Sequence, residues 1–209
     1  MTPRTLALPV AATLLGLAAG FAMPCAHAQG FVGASAGRTD WRDVECGNTV
    51  VCDRKDTAWT IRGGYQYTPW FGVEGRYFDL GKAHTAVAAG DGGGPANADF
   101  SAKGFGIDVV LSWPVSDRIS ISGMAGVARS EAKSDFPGRT FDAAGATVTQ
   151  VGVQQTRRAT KPYYGLGVAF GVTPQLSVTL EAERCRIDFG GGSTASVDML
   201  GAGVTYRFR

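Results

Sequence analysis

Bulky apolar residues alternate with small or charged ones, at a period of two, along nearly the whole chain. In AWTIRGGYQY (58–67), Trp59, Ile61, Tyr65 and Tyr67 fall on one face and Arg62 and Gln66 on the other. In FGVEGRYFDL (71–80), Phe71, Val73 and Tyr77 oppose Glu74 and Arg76. Successive side chains of an extended strand point to opposite sides, so this pattern predicts strands. Eight such runs can be read: 30–38, 57–67, 70–80, 100–113, 118–129, 160–172, 176–187 and 196–208. Pro69, Pro114 and Pro174 fall between runs, where turns are needed, and Pro162, near the start of its run, is expected to mark a rim.

The links alternate in length. Tyr67-Thr68-Pro69, Pro114 to Asp117 and Thr173 to Gln175 are tight, whereas 39–56, 81–99, 130–159 and 188–195 read as longer, looser links. In an antiparallel meander this puts the short turns at one rim, the long loops at the other, and both termini at the short-turn rim. The N-terminus has a basic start at Arg4, an apolar run LALPVAATLLGLAAGF and the small-residue close Ala26-His27-Ala28. That is the anatomy of a secretory signal peptide over 1–28, cut between Ala28 and Gln29, leaving 29–209 as one domain. No later stretch approaches the roughly 20 apolar residues of a membrane helix, so any spanning must be done by strands. A net charge of +2 gives no pointer to nucleic acid. Cys46 and Cys52 enclose GNTVV in a polar segment of an exported chain. They read as a disulfide in preference to a metal pair, since no histidine or third cysteine lies nearby. Cys185 reads as a packed thiol.

Which face points inward follows from volume. The outer candidates are rows such as Phe105, Ile107, Val109, Leu111 and Trp113, or Leu200, Ala202, Val204, Tyr206 and Phe208. Opposite them stand glycines, small polar residues and charges. An eight-stranded barrel has an interior only just wide enough for side chains, and rows of Leu, Phe, Trp and Tyr would overfill it. Turned outward, those rows meet lipid, and aromatics near the turns would form an interfacial girdle. The expected fold is therefore all-β, an eight-stranded antiparallel up-and-down transmembrane β-barrel. Its lumen would hold Arg62, Glu74, Arg76, Asp108, Glu181, Glu183 and Arg207, paired with one another because buried charges require it. Such a network reads as a plug in preference to an ion path or gate.

The opening FVGASAGRTDW, the paired cysteines, the segment DTAWTIRGGYQYTPWFGVEGRYFDLGKA and the closing VTYRF resemble the OmpA-like outer-membrane β-barrel superfamily. The resemblance implies a barrel in the outer membrane of a Gram-negative envelope, inserted by the outer-membrane assembly machinery, in contact with outer-membrane lipid and lipopolysaccharide. Arg209 follows the terminal aromatic Phe208, a departure from the usual last-residue signal. The peptidoglycan-binding domain that some relatives carry after the barrel is not expected.

Catalysis is not expected. Hydrolytic chemistry needs a positioned base near a nucleophile or a water. Past the signal only His84 remains, in a segment read as solvated loop, and the spacing of Glu181 and Glu183 is ordinary strand alternation. No cofactor or metal is implied. The expected role is envelope-structural or adhesion-like, through extracellular loops that meet a host or surface ligand; a narrow solute or ion channel is the alternative, and a lipid-modifying enzyme comes third. The 130–159 segment, with Lys133, Arg139, Arg157 and Arg158 against Glu131, Asp135 and Asp142, carries a slight basic excess suited to lipopolysaccharide phosphates or a host surface.

Overall fold

The computed structural model describes residues 29–43, 49–87, 96–141, 147–190 and 192–208. The signal segment with Ala28, Cys46 and Arg209 lie outside the described residues, as does the side chain of Cys52; Gln29 opens the first strand. The strands are β1 (Gln29–Trp41), β2 (Thr49–Asp53), β3 (Lys55–Thr68), β4 (Phe71–Val87), β5 (Ala96–Pro114), β6 (Ile119–Phe141), β7 (Thr147–Gly171), β8 (Leu176–Gly190) and β9 (Ser193–Arg207). All described pairings are antiparallel, each long strand lies beside its neighbours in sequence, and β1 closes onto β9 from Phe31↔Arg207 to Trp41↔Val197. The ring has eight staves. The short β2 is not a ninth, because it carries β3 onward past Arg54 against the same neighbour, pairing Cys52↔Thr85 and Asp53↔His84 of β4.

Local chemistry explains the joints. In each tight turn a hydroxyl accepts the amide of the residue that opens the next strand: Phe71 N to Thr68 Oγ1 at 3.0 Å, Ile119 N to Ser116 Oγ at 3.2 Å, and Leu176 N to Thr173 Oγ1 at 3.0 Å. Ser and Thr favour turns through such local bonds. Above the barrel's middle, β4 carries a bulge between Asp79 and Lys82. Gly81 sits in it at φ 71°, a left-handed conformation that suits glycine.

The outer wall is apolar as expected. Ile107, Leu166 and Leu200 are each about two-thirds exposed, and Trp59, Tyr65, Tyr67, Trp70, Trp113, Tyr206 and Phe208 stand outward toward the two ends of the belt. The outward rows named from the sequence on β3, β4, β5 and β9 all face out, and the charged residues opposing them face in.

Several expectations need correction, since the links 39–56, 81–99 and 188–195 are themselves largely strand, taken up by β1, β2 and β3, by β4 and β5, and by β8 and β9. The 130–159 segment is not a loop: β6 and β7 continue through most of it as a paired ribbon, with Arg139↔Gln150 still in register. Its Thr and Val residues favour strand without forming an apolar row, so the lipid-facing signature was missing. Pro162 is not near the start of its strand, since β7 begins at Thr147. It lies inside, one residue before the β8 ladder begins at Tyr163↔Cys185, so it occupies the edge facing β8 where no ladder donor is needed. His84 is on β4 and not in a loop, its ring Nδ1 in contact with the Asp99 carboxylate on β5.

A lipid-facing wall makes depth decisive for charge. Val168→Arg, in the middle of its outward row, should lower stability in lipid vesicles by about 2–4 kcal/mol, and Val172→Arg at the turn rim by about 0–1 kcal/mol. Urea unfolding followed by tryptophan emission measures both, and equal costs at the two depths would contradict this orientation.

Candidate functional site

The inward face is built in layers along the barrel axis. Nearest the short-turn rim, Arg207 on β9 donates to Ser177 Oγ at 2.9 Å and has no carboxylate partner among the described residues. Beside it a cavity of about 260 Å³ is lined by Gln29, Gln66, Thr68, Ser112, Ser120 and Arg207. Next come the buried charges. Arg62 on β3 and Arg76 on β4 are directly opposed across the strand pair. Two like charges so placed repel each other, and both are captured from the far side of the lumen. Arg62 is bound to Glu181 of β8 and donates to Thr179 and Thr205 at 3.2 and 3.0 Å. Arg76 takes Glu183 of β8 at 2.6 Å, Glu74 at 2.5 Å and Asp108 of β5 at 3.0 Å.

Arg76 is thus the hub: one guanidinium holds three carboxylates, with the Tyr163 ring 4.9 Å away on its face. Tyr163 reaches this place because Gly106 lies beneath it; a Cβ there would come within 2.9 Å of the ring. Glu181 Oε2 and Asp108 Oδ1 are buried without a protein donor. A small cavity of about 70 Å³, lined by Arg62, Glu74 and Glu181 among others, has room for ordered water beside the first of these. The seven charges named from the sequence all point into the lumen. Arg62, Glu74, Arg76, Asp108, Glu181 and Glu183 form two linked clusters, and Arg207 stands apart.

The third layer was not legible beforehand. Toward the long-strand end the lumen is apolar: Trp41, Phe78, Leu80, Ala83, Ala102, Ala128, Ala132, Cys185, Ile187, Ala195 and Val197 form one buried cluster. The interior is therefore not uniformly polar, as the alternation alone implied. Phe78, Leu80, Ile187 and Val197 do keep the inward phase of their strands, so the signal was present but was overshadowed by the charges on the same face. Phe100 and Phe189, whose rings lie 5.3 Å apart, pack on this cluster. Above them opens a mouth of about 650 Å³ with Asp43, Thr85, Ser134, Gln155 and Thr194 on its sides. The hydroxyl and amide of Ser196 hold the Asp43 carboxyl below the usual carboxylate range, which ties the end of β1 to β9.

Catalytic groups do not converge in these layers. Glu181 and Glu183, candidates for an acid pair by position, are each bound to a separate arginine. Cys185 is a buried free thiol within the apolar layer.

Comparison with known proteins agrees with this architecture. Residues 12–208 match the family model of the outer membrane protein beta-barrel domain. Outer membrane protein A of Escherichia coli O157:H7 is 28% identical over 152 residues, which are 70% of this chain and 38% of that protein. The Salmonella typhi counterpart is 26% identical over the same span of 152 residues. The chain thus spans well under half the length of these relatives. Among solved structures, Neisserial surface protein A superposes with a TM-score of 0.56 at 14% identity, covering 87% of this chain and 99% of that one. A major outer membrane protein of Thermus thermophilus gives 0.53 at 14% identity, with 87% and 99% covered. OprG of Pseudomonas aeruginosa gives 0.51 at 13% identity, with 87% and 94% covered. At such identities the likeness is one of fold.

Because Arg76 serves three carboxylates, removing it strands them. Arg76→Ala should destabilise the folded barrel by about 3–5 kcal/mol in urea unfolding, whereas Glu183→Gln, which leaves the hub and two carboxylates, should cost clearly less. Equal losses would show that the hub is not shared.

Proposed function

Since the chain belongs to the outer membrane protein beta-barrel domain family and resides in the outer membrane, we propose that it is a non-enzymatic envelope barrel that acts through its extracellular surface. In this reading the lumen is a plug and not a path. The observation that carries it is the stacking of two different fillings. The Arg76 hub lies on the short-turn side, and the apolar cluster around Trp41, Ile187 and Val197, each 1% exposed or less, lies on the other. A hydrated ion crossing the barrel would have to break the paired charges and then enter a layer that offers few polar groups, Thr39 and Ser130 among them, and no charged one among its buried residues, where desolvation is expensive.

With its interior filled, the barrel can offer only its outer wall and its long-strand end. That end is dominated by the β6–β7 ribbon, which runs beyond the last β5 pairing at Asp99↔Asp135. Structural support of the envelope and contact with a host or surface ligand are the roles this shape suits. The Cys46–Cys52 disulfide, the 1–28 signal peptide and delivery by the outer-membrane assembly machinery belong to the same proposal.

A narrow channel is the second reading. The cavities at the two ends of the lumen favour it, as does the Arg207 guanidinium, which has no carboxylate partner among the described residues. Planar-bilayer recording separates the two. The plugged barrel gives no steady unitary current, and Arg62→Ala leaves it silent because the apolar layer remains. Steady, ion-selective current in the unaltered chain, abolished by Arg62→Ala or Glu74→Ala, would establish the channel instead.

A further inference from the structure

Arg62 and Arg76 are neutralised by carboxylates inside the lumen, and Arg207 is not. Its one described side-chain contact is the bond from Nη1 to Ser177 Oγ at 2.9 Å. A guanidinium carries five N–H donors, so most of its capacity is unused among the described residues. The charged group whose field acts on it is Arg62, a second cation. A partly buried cation beside a like charge and a neutral hydroxyl lacks the counter-charge that burial calls for.

The cavity of about 260 Å³ at the short-turn rim surrounds this group with neutral polar side chains. Gln29 comes from β1, Gln66 and Thr68 from β3, Ser112 from β5 and Ser120 from β6. No carboxylate lines it, and Asp117, the acid of the rim turns, stands outside. The local bonds leave donors over. Thr68 Oγ1 accepts the Phe71 amide at 3.0 Å, so its own proton can be given elsewhere. Gln66 Nε2 gives one proton to the Pro69 carbonyl at 3.0 Å and keeps a second. One fixed positive charge ringed by hydroxyl and amide donors is the donor set that an oxyanion requires.

Size and neighbours narrow the choice. The small cavity of about 70 Å³ shares Gln66, Ser112, Ser120 and Arg207 with the rim cavity and continues it inward to Arg62. Glu74 and Glu181 border it there, and Glu181 Oε2 is buried without a protein donor. An anion that far in would meet this oxygen, so the anion's place is the rim cavity. At about 30 Å³ for each water, that volume holds a four-oxygen anion with a few waters. A phospholipid headgroup is kept out, because the side chains lining the cavity face the lumen and the lipid lies behind the opposite face of the same strands.

We propose that the short-turn end of the lumen is a binding site for a small tetrahedral oxyanion, sulfate or phosphate, drawn from the periplasm that this rim faces. Arg207 supplies the charge, and Thr68, Ser112, Ser120 and the Gln66 amide supply neutral donors. Bound there, the anion links β3 and β9 to β5 and β6 across the lumen. The site rests on the closed barrel, and it is independent of whether the lumen conducts.

The test uses the full chain folded in non-ionic micelles, with sulfate replacing chloride at constant ionic strength. Nuclear magnetic resonance follows the side-chain amide of Gln66, which every variant retains. A saturable shift is expected, and inorganic phosphate should compete for it. Hydrogen bonds to a charged group are strong enough that Arg207→Gln should weaken sulfate binding roughly ten- to hundred-fold. Ser112→Ala with Ser120→Ala keeps the charge and should weaken it by a smaller factor; this variant leaves the last strand intact and carries the test if Arg207→Gln does not fold. Arg118→Gln, in a turn of the same rim, should bind as the unaltered chain does, and phosphatidylglycerol added to the micelles should leave the resonance in place. The proposal fails if the shift grows linearly without saturating, if Arg207→Gln or the serine pair binds as tightly as the unaltered chain, if Arg118→Gln is as sensitive as Arg207→Gln, or if the phospholipid reproduces the shift.

Discussion

The backbone hydrogen bond is the constraint on which everything else here depends. Inside a bilayer no water is available to an unpaired amide or carbonyl, and each one left exposed costs several kcal/mol. A sheet survives there only by closing on itself. The β1–β9 ladder from Phe31↔Arg207 to Trp41↔Val197 performs that closure. Once the ring is closed, strand alternation is no longer free to drift, because a one-residue slip would turn every lipid-facing side chain inward. The hydroxyl-braced turns at Thr68, Ser116 and Thr173 help to hold that register at the rim where successive strands meet.

Closure at eight staves also dictates the interior. The lumen is narrow enough to be filled by side chains, and this chain fills it in two ways. Near the middle, arginines that repel each other across β3 and β4 are drawn apart by Glu181 and Glu183, both inward-facing on β8. The ion pairs thereby bridge strands that are not neighbours in the sheet. Farther along, Trp41, Ile187 and Val197 pack as in a soluble core. Outside, the same geometry sets a sharp boundary: where the apolar rows end, Arg129 stands beside Phe105 and Lys103 lies two positions beyond it.

Much of this was legible from residue order, and the reasons are physical. Lipid demands bulk on every second residue, so rows such as Phe105 to Trp113 announce themselves, and the volume of an eight-stranded lumen turns them outward. The lumen charges were legible because each shares a strand with such a row. The β6–β7 ribbon was not legible, because outside the bilayer a strand needs no apolar face, and Thr, Gln and Val in alternation look like a polar link. The apolar layer in the lumen was missed for a related reason: Phe78 and Leu80 lie on the face already assigned to Glu74 and Arg76, and alternation reports a face without reporting depth. Partner choice was beyond reach as well. Nothing in the sequence indicates that Arg76 gathers three carboxylates or that Asp79 accepts the amide of Gly81 within the β4 bulge.

The central claim is that bulk faces lipid and charge faces the lumen, and the four tryptophans allow it to be read directly. Trp59 and Trp113 stand on the outer wall, while Trp41 is 0% exposed inside the barrel. Variants that keep one tryptophan each, the others replaced by phenylalanine, can be folded into vesicles whose acyl chains carry bromine near the headgroup. Strong quenching of Trp59 and Trp113, with little quenching of Trp41, is the expected result. Quenching of Trp41 with protection of Trp59 and Trp113 would contradict it and reverse the two faces of the barrel.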